Sequence, residues 1–384
     1  MPHYARPALA QQFAISLEGK TGWGDTHNGL FLAAPRRTGK SSFLQNDLQP
    51  ELEQRGVVVV YVDLWSDTTR DPAALIAGAI GRELQKHLGF VARTATKAGL
   101  KELNIAGTLK VDTSKIGTID GLTLPDALRM LHETARAPVA LIIDEAQHAL
   151  TRTSGEEAMK ALKSARDQLN KPDQVNLMLI MSGSDRDKLL RLVNTNSAPF
   201  YGSVISHMPT LGAGYIKHVV QTIERERPDL KPVNAAVIAD AFMHFGERPQ
   251  FFSTGLAAVC SPMSAIPGRF EDALLQIAVQ RQRDEEVHMD STYRGLKVIE
   301  QVVLWRLLEQ EASFRPFDAD ALAFYKQKSG NDVTPPQVQR ALDNLRKHSP
   351  VMVWKSAWGE YAVEDAAMHR WYKTRANAGQ WPPA

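Results

Sequence analysis

The chain has 384 residues, of which 43% are hydrophobic and 23% are charged, and its formal net charge is +2 at pH 7. This composition is typical of a soluble globular protein of two or three domains, and it gives no strong indication of a nucleic acid or membrane partner. Cys260 is the single cysteine, which excludes an intrachain disulfide and a zinc site built from several thiolates. No apolar run approaches transmembrane length and the N-terminus has no apolar signal region, so we expect a cytoplasmic protein without a membrane partner.

The first motif along the chain is Leu30–Leu44, where an apolar run precedes a loop ending Gly39-Lys40-Ser41 and an amphipathic helix follows. This order of strand, loop and helix is the one that a phosphate-binding loop needs. Backbone N–H groups and the helix dipole would hold phosphate, while Lys40 would reach the β- and γ-phosphates and Ser41 would ligate Mg²⁺. The predicted nucleotide-binding residues of the loop are Ala34, Pro35, Arg36, Arg37, Thr38, Gly39, Lys40, Ser41 and Ser42.

Ala34 departs from the usual loop pattern, which begins with a glycine. Alanine is the smallest residue that can replace this glycine, and it is compatible with the turn if its φ stays negative. The alternative interpretation is a strand–turn–helix that contains Gly39-Lys40-Ser41 and binds no phosphate.

The elements that follow the loop alternate between strand and helix. Val57–Leu64 has the β-branched, non-alternating composition of a central parallel strand, and Asp71-Pro72 begins a helix that we expect to end near His87. Thr94–Leu124 is rich in Gly, Thr, Lys and Asp, which predicts an exposed hairpin or a mobile insertion over residues 94–124. Pro125-Asp126 then begins another helix.

Two later strands end in polar residues. An apolar strand leads directly into Asp144 and Glu145, and ligands of open α/β sheets bind at this carboxyl edge. Asp144 would hold the hydration shell of Mg²⁺, and Glu145 would polarise the attacking water. A second apolar strand ends in hydroxyls, so Ser182 or Ser184 would lie beside the γ-phosphate, although ordinary turn chemistry explains these serines equally well.

The pattern changes to helices after about residue 210, so we predict a core over residues 1–210, a helical lid over 211–293 and a third domain over 294–384. Arg248 begins a lid helix and would sense the γ-phosphate, or it is a surface turn residue. In the third domain, three helices precede a hairpin, which predicts a winged helix. Its basic and acidic residues nearly balance, so a protein-interaction or packing role has at least as much support as DNA binding.

These motifs resemble those of the AAA+/STAND-like P-loop ATPases of the archaeal-ATPase type. The matching segments are Pro35–Ser41, Leu141–Gln147, Met181–Ser184, Pro199–Gly202, Gly246–Pro249 and Glu360–Asp365. The resemblance implies an α/β fold, in which a P-loop NTPase parallel sheet carries a helical lid and a C-terminal winged-helix domain, with ATP and Mg²⁺ as cofactors. The implied roles are catalysis for Lys40 and Glu145, metal binding for Ser41 and Asp144, and γ-phosphate sensing for Ser182 and Arg248.

Ser203 departs from this family, which commonly has an arginine after a segment like Phe200-Tyr201-Gly202. An arginine that acts on a neighbour's nucleotide is therefore not located, although Arg186 and Arg191 lie in the same region. Slow turnover, with the nucleotide acting as a conformational switch, fits this departure better than efficient hydrolysis in a ring.

The sequence thus predicts an ATP-binding protein whose slow ATP hydrolysis drives a conformational switch that the winged-helix domain reads out. Two alternatives stay open, namely an ATP-bound DNA-binding regulator and a nucleotide-dependent protein-interaction scaffold without significant turnover. The sequence also leaves open whether DNA or a protein binds residues 294–384, and whether the chain forms a homo-oligomer.

Overall fold

The computed structural model describes residues 3–20, 28–97, 104–105, 109–110, 123–184, 189–194, 198–261, 269–355 and 360–383. The chain packs as two compact units. The first, called here the sheet unit, contains Ala5–Ala34 and Ser41–His207. The second, called the helical unit, contains Met1–Tyr4, Pro35–Lys40 and Met208–Ala384. Of the predicted phosphate-loop residues, Pro35–Lys40 belong to the helical unit and Ser41 belongs to the sheet unit.

The sheet unit is built on parallel strands. Its strands in chain order are β1 (Leu30–Ala33), β2 (Val58–Asp63), β3 (Asn104–Ile105), β4 (Leu109–Lys110), β5 (Val139–Asp144), β6 (Leu177–Gly183) and β7 (Ile205–His207). Five of them form one parallel sheet in the spatial order β2-β5-β6-β1-β7. The predicted α/β fold with a parallel sheet is therefore confirmed.

Strand β6 lies between β1 and β5, which brings the polar ends of β5 and β6 to the edge of the sheet where β1 also ends. Leu32 is in register with Ser182, and Ile143 is in register with Met181. Every residue of β5 and β6 is buried, as expected of central parallel strands with both faces covered. The sheet order therefore positions the hydroxyls at the end of β6 beside the carboxylates that follow β5.

Helices cover this sheet. They are α1 (Pro7–Leu17), α2 (Lys40–Phe43), α3 (Gln49–Gln54), α4 (Pro72–Lys97), α5 (Leu124–Ala135) and α6 (Thr153–Leu169), with a π-helical turn over Leu44–Leu48 between α2 and α3. The predicted end of α4 near His87 is wrong, because the following residues include good helix formers and no proline. Strands β3 and β4 pair antiparallel, in agreement with the predicted hairpin, and most of the predicted insertion lies outside the described residues.

The helical unit contains two separate hydrophobic cores. The first is formed by α7 (Ala213–Glu226), α8 (Ala235–His244), α9 (Pro249–Cys260) and the N-terminal half of α10 (Phe270–Arg294). Helix α10 contains neither glycine nor proline before Gly295, and it continues without a break to Arg294.

The second core belongs to the C-terminal elements. These are α11 (Val298–Gln310), α12 (Ala319–Ser329), α13 (Pro335–Lys347), β8 (Val353–Lys355), β9 (Tyr361–Val363) and α14 (Ala366–Asn377). Strands β8 and β9 pair antiparallel, with Val353 opposite Val363, as the hairpin pattern predicts. The turn expected at Ser356–Gly359 lies outside the described residues.

Candidate functional site

Asp144 is the centre of a hydrogen-bonded group at the carboxyl edge of the sheet. Its side chain is buried, and its Oδ2 accepts hydrogen bonds from Ser41 Oγ at 2.5 Å and from the Tyr61 hydroxyl at 3.0 Å. Ser182 Oγ donates to the other carboxylate oxygen, Oδ1. Three of the predicted site residues therefore meet directly, one from the start of α2 and the others from the ends of β5 and β6.

Tyr61 is a member of this group that the sequence analysis missed. It lies on β2, and burial together with the neighbouring Asp144 charge raises its pKa, so the phenol remains a protonated donor at neutral pH. The register of β2 against β5 places Asp63 beside Asp144 and brings Tyr61 within reach. No local motif marks this tyrosine, because its contact depends on which strand lies next to β5.

The donor set around Asp144 fits a magnesium ion. The hydroxyl of Ser41 and the carboxylate of Asp144 are hard oxygen donors, which Mg²⁺ prefers, and they share one hydrogen bond. Within the described part of the chain, no group of three or more His, Cys, Asp or Glu side chains is arranged to hold a metal. An ion at this site would therefore take further oxygen ligands from water or from a bound phosphate.

Glu145 has a constrained backbone and an occupied carboxylate. Its φ is 54°, in the left-handed region that is uncommon for residues other than glycine. Its Oε2 accepts hydrogen bonds from Ser184 Oγ at 2.8 Å and from Gln147 Nε2 at 2.6 Å. The two candidate serines thus serve different carboxylates, since Ser182 donates to Asp144 and Ser184 donates to Glu145.

Gln147 is the second site residue that the sequence analysis did not single out. Its side chain is fully buried, and its Oε1 has no hydrogen-bond partner among the described residues. The glutamine stands two positions after Glu145, so its place next to the acidic pair was the available signal. Its contact with Glu145 depends on the short 3₁₀ helix Ala146–Thr151, which the sequence pattern did not indicate.

The structure explains why Ala34 is tolerated at the first loop position. Its backbone N–H donates to Gly183 O at 3.1 Å, and it is not among the residues with positive φ. The left-handed positions of the loop are instead Arg37, with a φ of 68°, and Gly39, with a φ of 89°. A glycine is therefore not required at position 34 by backbone conformation.

The remaining loop residues differ in their surroundings. Lys40 is 5% exposed, and Thr38 Oγ1 donates to Pro35 O at 2.6 Å. Arg36 Nη2 lies 2.9 Å from Glu364 Oε1 in the helical unit. Ser42 is exposed on α2, and its hydroxyl accepts a hydrogen bond from Asn46 at 3.3 Å.

Arg248 begins helix α9 and is 9% exposed, so it is not a surface turn residue. Burial and the nearby Arg370 lower its pKa, while Glu285 acts in the opposite direction. Arg191, a candidate for action on a neighbouring molecule, is also 9% exposed, which is unfavourable for reaching another chain. Arg186 lies outside the described residues.

Comparison with known proteins finds a family match in the N-terminal half of the chain. Residues 24–190 match the model of the AAA domain family, a segment that includes both the phosphate loop and Asp144-Glu145. No match is found among curated protein sequences.

Several solved structures are similar. The ORC2 protein of Aeropyrum pernix in its ADP form is 14% identical, with a TM-score of 0.51 over 99% of this chain and 96% of that chain. The Walker-type ATPase PABY2304 of Pyrococcus abyssi is 17% identical, with a TM-score of 0.48 over 94% of each chain. AMPPCP-bound DnaA from Aquifex aeolicus is 14% identical, with a TM-score of 0.39 over 89% of each chain.

The AAA domain match and the ORC2 similarity agree with the parallel sheet of the P-loop NTPase fold. The STAND relationship and the winged-helix assignment stay predictions, as does the cytoplasmic location. Within the described ranges, no helix is both long enough and apolar enough to span a bilayer.

Proposed function

We propose that this AAA-domain protein binds ATP with Mg²⁺ and hydrolyses it slowly. The observation that carries the proposal is the contact of Ser41, Asp144 and Ser182, at the edge of a parallel sheet where α/β proteins bind their ligands. Ser41 directly follows the loop that ends Gly39-Lys40, so the metal-binding oxygens are adjacent in the chain to the phosphate-binding groups.

The loop conformation supports phosphate binding. Left-handed residues at Arg37 and Gly39, separated by a single residue, are typical of backbone segments that turn successive N–H groups toward an anion. Lys40 would neutralise the β- and γ-phosphates, and the start of α2 would add the partial positive charge of a helix N-terminus. The predicted binding residues from Ala34 to Ser42 keep this role in the proposal.

Ser41 and Asp144 would hold the magnesium ion. When bound, Mg²⁺ would neutralise part of the charge on the phosphates. Ser182 would hold the Asp144 carboxylate in position through its hydrogen bond to Oδ1, with its hydroxyl on the strand between the loop and the acidic residues. Tyr61 would do the same through its hydrogen bond to Oδ2.

Glu145 would orient the attacking water, and its present hydrogen bonds account for slow turnover. Its Oε2 accepts hydrogen bonds from Gln147 and Ser184, and these compete with a hydrogen bond from water. Gln147 and Ser184 must therefore release Glu145, at least in part, before it can act on water. Arg248 would contact the γ-phosphate and make lid closure dependent on ATP.

The experiment compares ATP turnover and ATP retention in three variants. Lys40→Ala should lose ATP binding, whereas Glu145→Gln should retain bound ATP and lose phosphate release, because it keeps the shape of the site and removes the base. Lys86→Ala is the matched control, since Lys86 is an exposed lysine paired with Glu83 on α4. Normal hydrolysis by Glu145→Gln would contradict the role of Glu145, and unchanged binding by Lys40→Ala would contradict the phosphate loop.

We also propose that the C-terminal part, predicted as a winged helix, reads out the nucleotide state. A protein partner has more support than DNA, because several polar side chains of α13 already bond within the domain: Asn344 donates to Glu300 at 2.8 Å, and Arg346 pairs with Asp343 at 3.3 Å. The ORC1 protein of Aeropyrum pernix was solved in complex with DNA, so the alternative of an ATP-bound DNA-binding regulator is kept.

A nucleotide-dependent pull-down and a DNA mobility shift separate these two readouts. A salt-sensitive shift of duplex DNA that is lost on changing Arg340 and Arg346 would favour the regulator. Homo-oligomer formation remains part of the proposal, and mass determination with ATP and with ADP measures it. A nucleotide-dependent scaffold without turnover would bind its partner equally well in the wild type and in Glu145→Gln.

A further inference from the structure

A small cavity in the helical unit is lined mainly by arginines. Its volume is about 90 Å³. We call it the arginine pocket, and its lining residues are Pro35, Arg36, Arg37, Arg248, Asp365, Ala367 and Arg370. They come from the phosphate loop, the start of α9, and the start and body of the C-terminal helix α14. Segments far apart in sequence therefore bring four guanidinium groups to one small cavity.

Phe251 organises part of this positive charge. The guanidinium carbons of Arg37, Arg248 and Arg281 lie 4.5, 5.4 and 3.6 Å from the centre of its ring. An aromatic face attracts each cation, but gathering several like charges around one ring is unfavourable unless anions are near. The arrangement therefore favours a negatively charged ligand.

The nearby carboxylates only partly balance these arginines. Glu364 pairs with Arg36 at 2.9 Å, and Glu285 lies 3.2 Å from Arg281 and 3.6 Å from Arg248. Asp365 is engaged as the N-cap of α14, because its Oδ1 accepts a hydrogen bond from Ala367 N at 2.8 Å. Among the described residues, five arginines lie near three carboxylates, so basic side chains outnumber acidic ones at the cavity.

Arg248 also offers a donor that points to a ligand. Its side chain is more than nine-tenths buried, and its Nε has no hydrogen-bond partner in the described part of the chain. Buried donors are usually satisfied by protein, water or ligand. Burial and the repulsion from Arg370 and Arg37 lower the pKa of Arg248, and a bound anion would reverse that effect.

We infer that the arginine pocket binds the terminal phosphate group of a nucleotide, and that Arg370 of α14 is one of its ligands. The inference rests on the proposed ATP binding and extends it to a residue of the C-terminal part. A phosphate group offers several acceptor oxygens and up to two negative charges, which match the forked donors of arginine. A cavity of this size has room for a phosphate group.

This assignment gives the C-terminal part a direct means of distinguishing ATP from ADP. ADP lacks the γ-phosphate, so it would leave the contact with Arg370 unmade. Since α14 follows β9 after only Glu364 and Asp365, a phosphate bound by Arg370 would act on the hairpin of the same domain. The ion pair of Glu364 with Arg36 links the phosphate loop to that hairpin as well.

The test compares the affinities for ATP and ADP, both with Mg²⁺, in the wild type and in Arg370→Ala. Loss of a hydrogen-bonded charge contact to phosphate predicts an ATP dissociation constant that rises about tenfold, with that of ADP unchanged. Arg225→Ala is the matched control, because Arg225 is an exposed arginine on α7 outside the pocket. Unchanged ADP affinity shows that the variant is folded. Equal ATP affinity in Arg370→Ala and the wild type, or an equal loss for both nucleotides, would overturn the assignment.

A second arm uses inorganic phosphate, which separates this inference from the proposed function. If the wild type binds orthophosphate but not ATP, and Arg370→Ala loses orthophosphate binding, the pocket is a site for free phosphate. In that case the proposal of ATP binding is wrong and the phosphate site stands. If ATP binds the wild type and Arg370→Ala equally, and Arg370→Ala does not change orthophosphate binding, the pocket assignment is wrong and the proposed ATP binding stands.

Discussion

At the scale of single residues, substitution of Gln147 tests most directly whether the hydrogen bonds of Glu145 limit turnover. It donates to the Glu145 carboxylate at 2.6 Å, and its own Oε1 has no partner among the described residues. Gln147→Met keeps the volume and removes both features. Turnover should rise several-fold, because Glu145 then has one donor fewer, and stability should change little, because a buried unpaired carbonyl also disappears.

Steady-state phosphate release and urea unfolding measure these two effects for Gln147→Met. A turnover that instead falls as far as in Glu145→Gln would mean that Gln147 positions Glu145 for catalysis. In that case the hydrogen bond from Gln147 to Glu145 is not the cause of slow hydrolysis.

Cys260 gives a prediction of pH dependence. Burial raises the pKa of its thiol to about 11, with the neighbouring Arg227 opposing the shift. At pH 8 such a thiol is ionised to about one part in a thousand, against about a quarter for an ordinary thiol. Alkylation by iodoacetamide should therefore be slow in the folded protein at pH 8, accelerate toward pH 11, and be fast after unfolding in urea.

Because Cys260 is the single cysteine, mass spectrometry reads its alkylation without interference. A folded protein that reacts at pH 8 within a few-fold of the unfolded rate would contradict the burial of this thiol.

At the scale of secondary-structure elements, Gly155 allows the start of helix α6 to pack closely against the 3₁₀ helix that follows Glu145. A Cβ at this position would lie 2.1 Å from the carbonyl oxygen of Ala149, which belongs to the 3₁₀ helix that contains Gln147. Gly155→Ala should therefore destabilise the protein by about 1–3 kcal/mol and lower turnover, since the backbone around the acidic pair must shift.

Gly78→Ala is the matched control for Gly155→Ala. Gly78 lies within α4, and a Cβ there meets only Arg82 Nη1, at 3.5 Å. Alanine is the better helix former, so this change should stabilise the protein by about 0.5–1 kcal/mol. Equal effects of the two substitutions in urea unfolding would refute the steric explanation.

The elements were predictable to different degrees from the sequence. Strands β1, β5 and β6 are uninterrupted apolar runs, and helices such as α5 and α13 begin at prolines, so local chemistry marks them. The end of α4 was placed too early, because the residues after His87 include good helix formers and no proline, so the helix can continue.

The site was predictable where its residues belong to local motifs. Ser41, Asp144 and Glu145 follow from strand–loop–helix and strand–carboxylate patterns. Tyr61 and Arg370 do not, because their neighbours depend on strand order and on how a distant helix packs. Such contacts are fixed by tertiary structure, and the sequence of either partner alone contains no sign of them.

At the scale of the whole molecule, each compact unit contains some of the proposed nucleotide-binding residues. Ser41 and Asp144 belong to the sheet unit, whereas Lys40 and the arginine pocket belong to the helical unit. Within the helical unit, a bound terminal phosphate would couple the phosphate loop to the C-terminal elements. Such coupling requires a contact that forms with ATP and not with ADP. Arg370 is the proposed source of that contact.

The most direct test of the central claim is ATP affinity by titration calorimetry, with Mg²⁺ and with EDTA, for the wild type and Asp144→Asn. Asn keeps the size of the side chain and removes the charge that would hold the metal. The wild type should bind ATP about tenfold or more tightly with Mg²⁺ than without it, and Asp144→Asn should lose most of that difference. Absence of ATP binding by the wild type, or a full magnesium effect in Asp144→Asn, would contradict the account.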